Sequence, residues 1–351
     1  MHAILGGRQS PIGVDFDSRF VRAAQLARSG RRWRLAAALH LPRVLPGADL
    51  DPSEAEQLAG VFARQGFKGR RIVLAVPEEK MVTGMLELPP RGSGAPVDEI
   101  ARTELANMHD YDPRAAEMAC WDLPASNRQK DVTQAMAVAC RNADADALLE
   151  VFAGRGLEVL ALDSRLHALV RGCQPVLPPT AVAAVLELAW DRAMLVLLYG
   201  GTVVYKWTMA EGAISRLSET LVKNLHVEDD AVDYLLAEVG LAPQAGEAWG
   251  DAAALRAVAT LIRKHLDAIA GAMQSPFSYC AQQYSDAALE NLVLVGHGAA
   301  IPGAGEHLQS RLGVNVRTVV PPDVVQCPKV SDRTAGDPSM IVAIGLAQFP
   351  G

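Results

Sequence analysis

Several whole classes of protein are excluded by what this sequence lacks. It has only five cysteines in 351 residues, Cys120, Cys140, Cys173, Cys280 and Cys327, an odd number and widely spaced. That excludes a disulfide framework and a CxxC metal site, and leaves the thiols as small buried hydrophobes. Positive charge is not in excess: 33 Lys and Arg stand against 40 Asp and Glu, for a formal net charge of -7. The chain therefore has no electrostatic footprint for nucleic acid, whose phosphates are held by clustered cations. The one basic cluster, Arg28, Arg31, Arg32 and Arg34, reads as a solvated turn. No run of about 18 apolar residues is available to span a membrane, and residues 1–10 lack the apolar core of a signal peptide. A chain made and kept in the cytosol is the expectation. What is present is hydrophobic material, half of all residues, in a length that exceeds the usual single core and favours two domains.

The pattern along the chain repeats. Apolar runs at residues 12–16, 20–27 and 33–40 predict three strands separated by short polar turns. Ser53 with Glu56 forms a capping box, and Leu58, Val61 and Phe62 give the next helix one apolar face, ending near Gly66. A second block follows: strands at 72–76 and 81–88, a Pro/Gly/Ser-rich loop at 89–96, a helix at 97–108, strands at 118–123 and 132–139, and a helix at 143–154. A strand at 157–162 and a short helix from Ser164 lead to the Pro-rich linker 174–180. The opening pattern then returns, with strands at 181–188, 193–199 and 202–207 and Gly200-Gly201 as a hairpin turn. Helices fill 213–284, interrupted by a turn-rich stretch at 243–250. The end of the chain carries a strand at 292–295, a glycine turn, a helix at 305–312, a strand at 314–316 and an apolar helix at 340–347.

This duplication sets an expected division. Residues 1–70 and 157–179 form a first subdomain interrupted by an α/β insertion at 71–156; residues 180–210 and 286–351 form a second, interrupted by a helical insertion at 211–285. A duplicated unit leaves a cleft between its halves, where a ligand would sit.

Three turns carry the chemistry. The first is Gly13-Val14-Asp15-Phe16-Asp17-Ser18, the second Leu186-Glu187-Leu188-Ala189-Trp190-Asp191-Arg192-Ala193, and the third Gly296-His297-Gly298 after the strand 292–295. Glycine lets backbone N–H groups approach phosphate oxygens, and a carboxylate nearby holds magnesium, usually through water. These turns, with the helix and aromatic-Pro segment from Glu99 to Tyr111-Asp112-Pro113 and the closing Ala343-Ile344-Gly345-Leu346-Ala347, resemble the PilM family of pilus-assembly proteins. The resemblance implies fold class α/β, a duplicated actin-like (ribonuclease H-like) ATPase fold with an inserted subdomain in each half. It also implies ATP and magnesium as ligands, with Asp15, Asp17, Ser18, Glu187, Gly296, His297 and Gly298 at the nucleotide and Asp15 and Glu187 on the metal.

Departures from the family pattern weaken that site. Asp17 stands where the family has glycine, and its charge repels a phosphate a few ångströms away by about 1 to 4 kcal/mol at effective dielectrics of 80 to 20. Ala189 and Trp190 replace a glycine and a small residue, Ala193 removes a hydroxyl, and the ribose contacts are missing from the helix at 227–240. The resemblance then implies ATP binding reduced or lost, with no catalytic residue. It points instead to a cytoplasmic scaffold at the inner membrane. Such a scaffold binds the cytoplasmic N-terminal peptide of a PilN-like membrane protein in a groove between the first subdomain and its insertion, and self-association is left open. A soluble component of a type II secretion platform is the alternative. The enzyme reading takes Val14-Asp15-Phe16-Asp17 as the nucleophile strand of a magnesium-dependent phosphatase, or the fold as a kinase. The first lacks its later Lys and acidic pair, the second an identifiable base.

Overall fold

The computed structural model describes residues 9–30, 32–47, 49–124, 133–179, 182–241, 252–284, 289–328 and 332–350. The stretch at 243–250 and Arg31 lie outside them. The chain divides into two compact units, one of Met1–Gln174, Val325–Thr334 and Val342–Gly351, the other of Pro175–Val324 and Ala335–Ile341.

In the first unit, β1 (Gln9–Phe16), β2 (Phe20–Ser29) and β3 (Arg32–Pro42) form an antiparallel meander. β1 is the central strand of the sheet and is buried from Ile12 to Phe16, as an apolar run predicts. Helix α1 (Pro52–Arg64) follows. Its N-cap is Asp51, not Ser53: Asp51 Oδ1 accepts from Ser53 N at 2.8 Å, and Glu54 Oε2 accepts from Asp51 N at 3.1 Å. The box sits two residues earlier than the sequence spacing suggests because Pro52, lacking an N–H and fixed near helical φ, is favoured at the first helical position. Ala55, Leu58 and Phe62 of α1 pack with Ile12, Val14, Ile72 and Leu74 into one core.

β4 (Arg71–Val76) pairs parallel with β1. The chain then builds a separate three-stranded antiparallel sheet from β5 (Met81–Leu88), β6 (Ala116–Asp122) and β7 (Thr133–Arg141), in the order β5-β7-β6. Helix α2 (Val97–Met108) covers one face, seated over Gly84, where a Cβ would lie 2.7 Å from Leu105. Helix α3 (Asn142–Phe152) returns the chain to β8 (Glu158–Ser164), which pairs parallel with β4 and completes the order β3-β2-β1-β4-β8. Helix α4 (Arg165–Cys173) starts at once, capped by Ser164, whose Oγ accepts from His167 N at 3.2 Å.

The second unit repeats this topology. β9 (Val182–Leu188), β10 (Ala193–Tyr199) and β11 (Thr202–Met209) form the meander, β12 (Asn291–Val295) and β13 (Asn315–Thr318) add parallel, and the order is β11-β10-β9-β12-β13. Between β11 and β12 come α5 (Ile214–Leu225), α6 (Asp229–Tyr234) with a π-helical turn at Leu235–Val239, and the long α7 (Ala252–Gln283); α8 (Ala304–Leu312) precedes β13.

The closing helix Ile341–Ala347 is buried throughout. It meets the first unit with almost no clearance: a Cβ on Gly13 would overlap the Ala343 carbonyl, and a Cβ on Gly345 the carbonyl of Ala168 in α4. Both glycines are required by close approach of backbone to backbone.

Candidate functional site

The first turn joins β1 to β2 and is occupied by its own side chains. Asp15 and Arg22 are direct partners in the hairpin register. Asp17 lies at the turn, where its Oδ1 accepts from the backbone N–H groups of Arg19 at 2.9 Å and Phe20 at 2.8 Å. Its Oδ2 accepts from Arg22 Nη1 at 2.8 Å, and the same nitrogen lies 3.5 Å from Asp15 Oδ2. The other oxygen of Asp15 is ion-paired with Arg165, at the first position of α4. Asp15, Asp17, Arg22 and Arg165 are all buried. Two carboxylates and two guanidiniums thus balance inside the protein, as buried charges require. Burial pushes the Asp17 carboxyl upward, but the Arg22 guanidinium and the Arg19 and Phe20 amides outweigh it and hold it below its ordinary value.

A second buried arginine braces the same loop. Arg43, just after β3, binds both carboxylate oxygens of Glu54, at 3.2 and 2.8 Å, and donates to the carbonyls of Asp17 at 3.0 Å, Asp49 at 2.6 Å and Gly47. Through Glu54, which also completes the α1 cap, the first turn is tied to the helix start. Ser18 takes part by its carbonyl, which accepts from Gly47 N at 2.9 Å.

In this arrangement the first turn does not fit magnesium or a nucleotide phosphate. Asp15 is engaged by two guanidiniums that a cation would have to displace, and the Arg19 and Phe20 amides already hold a carboxylate. Among the described residues no cluster of three or more His, Cys, Asp or Glu is arranged to hold a metal.

Glu187, Gly296, His297 and Gly298 come together in the second unit. Glu187 is buried on β9, directly opposite Met194 of β10 and Val295 of β12. Gly296, at φ 90, follows β12 and would place a Cβ 2.6 Å from the Leu188 carbonyl oxygen; its N–H donates to Pro338 O at 3.1 Å. Gly298 packs against Ile214 and Leu188, with 2.5 Å between a built Cβ and Ile214 Cδ1. Both glycines are thus demanded by the packing of the β9 end. His297 meets Trp190 edge to face, with ring centroids 5.5 Å apart. The N–H groups of Ile214 and Ser215, which open α5, donate to the Ala189 and Trp190 carbonyls at 3.1 and 2.9 Å. The second turn consequently consumes helix-terminal donors that would suit an anion.

The third feature is the face of the β5-β7-β6 sheet opposite α2. In antiparallel pairing, directly opposed residues share a face. Met85, Met136 and Trp121 therefore form one row across the three strands, and Thr83, Val138 and Ala119 the next. Met85 is 37% exposed. Trp121 meets His167 of α4 edge to face at 4.9 Å, so this apolar face adjoins the start of α4 and the end of β8. Ser164 Oγ and His167 Nδ1, 2.6 Å apart, fix that ring.

Reading the sequence identified Asp15, Asp17 and the glycine turn but missed Arg22, Arg43 and Arg165. Arg22 had a signal, because counting back from the turn in hairpin register sets it opposite Asp15. Arg165 had none, since 150 residues separate it from Asp15.

Over residues 13–348 the chain matches the family model described as type IV pilus assembly protein PilM. Among solved structures it is similar to a chain of a PilM-PilN type IV pilus biogenesis complex, with a TM-score of 0.74 and 19% identity over 96% of this chain and 97% of that one. It is also similar to ethanolamine utilization protein EutJ from Carboxydothermus hydrogenoformans, with a TM-score of 0.55 and 14% identity over 99% and 91%. MreB5 of Spiroplasma citri, bound to ADP, gives 0.51 and 11% over 96% and 94%. These likenesses show the duplicated actin-like α/β fold expected from the sequence.

Proposed function

The chain belongs to the type IV pilus assembly protein PilM family, and on that premise we propose that it is a scaffold that holds the cytoplasmic N-terminal peptide of a PilN-like inner-membrane protein. The peptide lies on the apolar face of the β5-β7-β6 sheet beside α4. One observation carries this reading: α2 covers the opposite face, while the Met85–Met136–Trp121 row leaves Met85 exposed and joins α4 through Trp121 and His167. Met85 can adapt to varied apolar side chains and the half-buried Trp121 is a typical binding anchor, while Met136 between them is buried and backs both. β5 and β6 are the edges of that sheet, so backbone groups are also available for strand addition.

The same reading makes the nucleotide site degenerate. The Asp17 carboxylate takes the amide donors of the first turn, Arg22 and Arg165 take Asp15, and the α5 N-terminus is committed to the second turn. The scaffold role requires no turnover.

Fluorescence anisotropy with a labelled peptide from the cytoplasmic N-terminus of the PilN-like partner tests the proposal. Saturable binding in the micromolar range is expected. Trp121→Ala should weaken it roughly 30-fold, the loss of about 2 kcal/mol usual for a hot-spot tryptophan. Absence of binding at tens of micromolar overturns the reading. Titration calorimetry with ATP and magnesium should give no heat of binding; a magnesium-dependent isotherm abolished by Asp15→Ala overturns the degenerate site.

A further inference from the structure

We infer that the tip of the β2–β3 hairpin docks on an anionic lipid surface, giving the protein its own contact with the bilayer beside that made by its partner. The sequence concentrates charge there. Between Asp17 and Asp49 no acidic residue occurs, while Arg19, Arg22, Arg28, Arg31, Arg32, Arg34 and Arg43 do. With a net charge of -7 overall and these seven arginines here, the rest of the chain carries -14. An anionic surface attracts this segment and repels the net negative charge of the remainder, which orients the approach.

The fold divides those arginines by role. Arg22 and Arg43 are buried in the ion pairs of the first turn. Arg28 and Arg32 are exposed and Arg34 is half-buried, and none of the three forms an ion pair with an acid among the described residues. The register pairs Arg28 with Trp33, Ala27 with Arg34 and Ser29 with Arg32. Arg28 and Trp33 thus share one face of the hairpin, and Arg32 and Arg34 the other. Arg28 lies over the Trp33 ring, 4.7 Å from its centroid, and the indole remains half-exposed.

This geometry favours a plane over a groove. Exposed cations sit on both faces but only near the tip; farther back come Ala24, Leu26, Leu35 and Ala37, all buried. A nucleic-acid groove or an acidic peptide would follow the hairpin along its length and find no further charge. A bilayer met tip-first engages the exposed Arg28 and Arg32 together, with the indole at headgroup depth, where tryptophan is favoured. Basic residues near an anionic leaflet each strengthen attachment about fivefold, which suits a secondary contact. The inference rests on the reading above only in that the partner's peptide brings the protein close to the membrane.

Flotation of the full chain with vesicles of phosphatidylcholine containing 0, 20 or 40% phosphatidylglycerol is the test, at 50 and 150 mM NaCl. No binding to the neutral vesicles is expected, with binding that rises with the anionic fraction and weakens with salt. The double variant Arg28→Glu/Arg32→Glu should need more than tenfold more lipid, and Arg28→Gln/Arg32→Gln an intermediate amount, both with unchanged melting and peptide affinity. No phosphatidylglycerol-dependent binding at 50 mM NaCl, or equal binding by wild type and the Glu variant, overturns the inference. Displacement of the protein from vesicles by a duplex oligonucleotide that binds through the same arginines overturns the lipid assignment. Loss of peptide binding with vesicle binding retained would overturn the partner reading alone.

Discussion

Asp15 and Asp17 face Arg22 and Arg165 in a space closed to water, so removing one charge strands its partner. Asp15→Asn leaves two buried guanidiniums sharing one carboxylate, and should cost about 3–5 kcal/mol in urea unfolding. The pH dependence follows from Asp17 and Glu54, both held below their ordinary values against the opposing effect of burial, by Arg22 and Arg43 respectively. Each binds its proton more weakly folded than unfolded. Their stabilisation is therefore complete above the unfolded values of 3.8 and 4.5 and is lost as pH falls through the lower folded values. The urea midpoint should hold steady from pH 7 to about 5 and drop below about 4. Asp17→Gly frees two amides and Arg22, and pyrophosphate should then raise the melting temperature of the variant but not of the wild type. An equal rise in both would mean that the turn is open to anions already. The acidic half of this cluster was legible as a motif because both aspartates lie within one turn. The basic half was not, because it comes from the facing strand and from a helix much later in the chain.

At the level of elements, strands and helices were legible because apolar periodicity is a local property, and most were placed to within a few residues. What periodicity lacks is the identity of the neighbour. From the sequence the insertion reads as 71–156 with the strand 72–76 included, but β4 pairs with β1 in the first sheet, and only β5, β6 and β7 form a separate one. Nor was it legible that α2 would cover one face of that sheet, since that depends on where the loop 89–96 leads the chain. Glycines show the same limit. Gly13, Gly271 and Gly345 look alike in the sequence, yet the first and last are pinned against backbone carbonyls while nothing lies within 4 Å of a Cβ at Gly271 in α7. Gly271→Ala should stabilise the protein by about 0.5–1 kcal/mol in denaturant unfolding, since alanine restricts the unfolded chain and suits the helix. Gly345→Ala should fail to accumulate as soluble protein, because its clash is with backbone.

For the whole molecule, duplication was the strongest signal, since two copies of the meander reinforce one another; the full orders β3-β2-β1-β4-β8 and β11-β10-β9-β12-β13 come from the structure. Illegible was the return of the chain's end to its beginning, as Ala343, Leu346 and Ala347 crowd Gly13. Deleting residues 342–351 should consequently leave the first unit without native near-ultraviolet circular dichroism. This return also has a consequence in time. Gly13 and Ala343 are about 330 residues apart, and at 5–20 residues per second the ribosome takes roughly 15–65 s to make that stretch. Until the closing helix has been made, the groove that awaits it stays open. The first unit is therefore completed late in synthesis, and the nascent chain exposes that apolar groove until then.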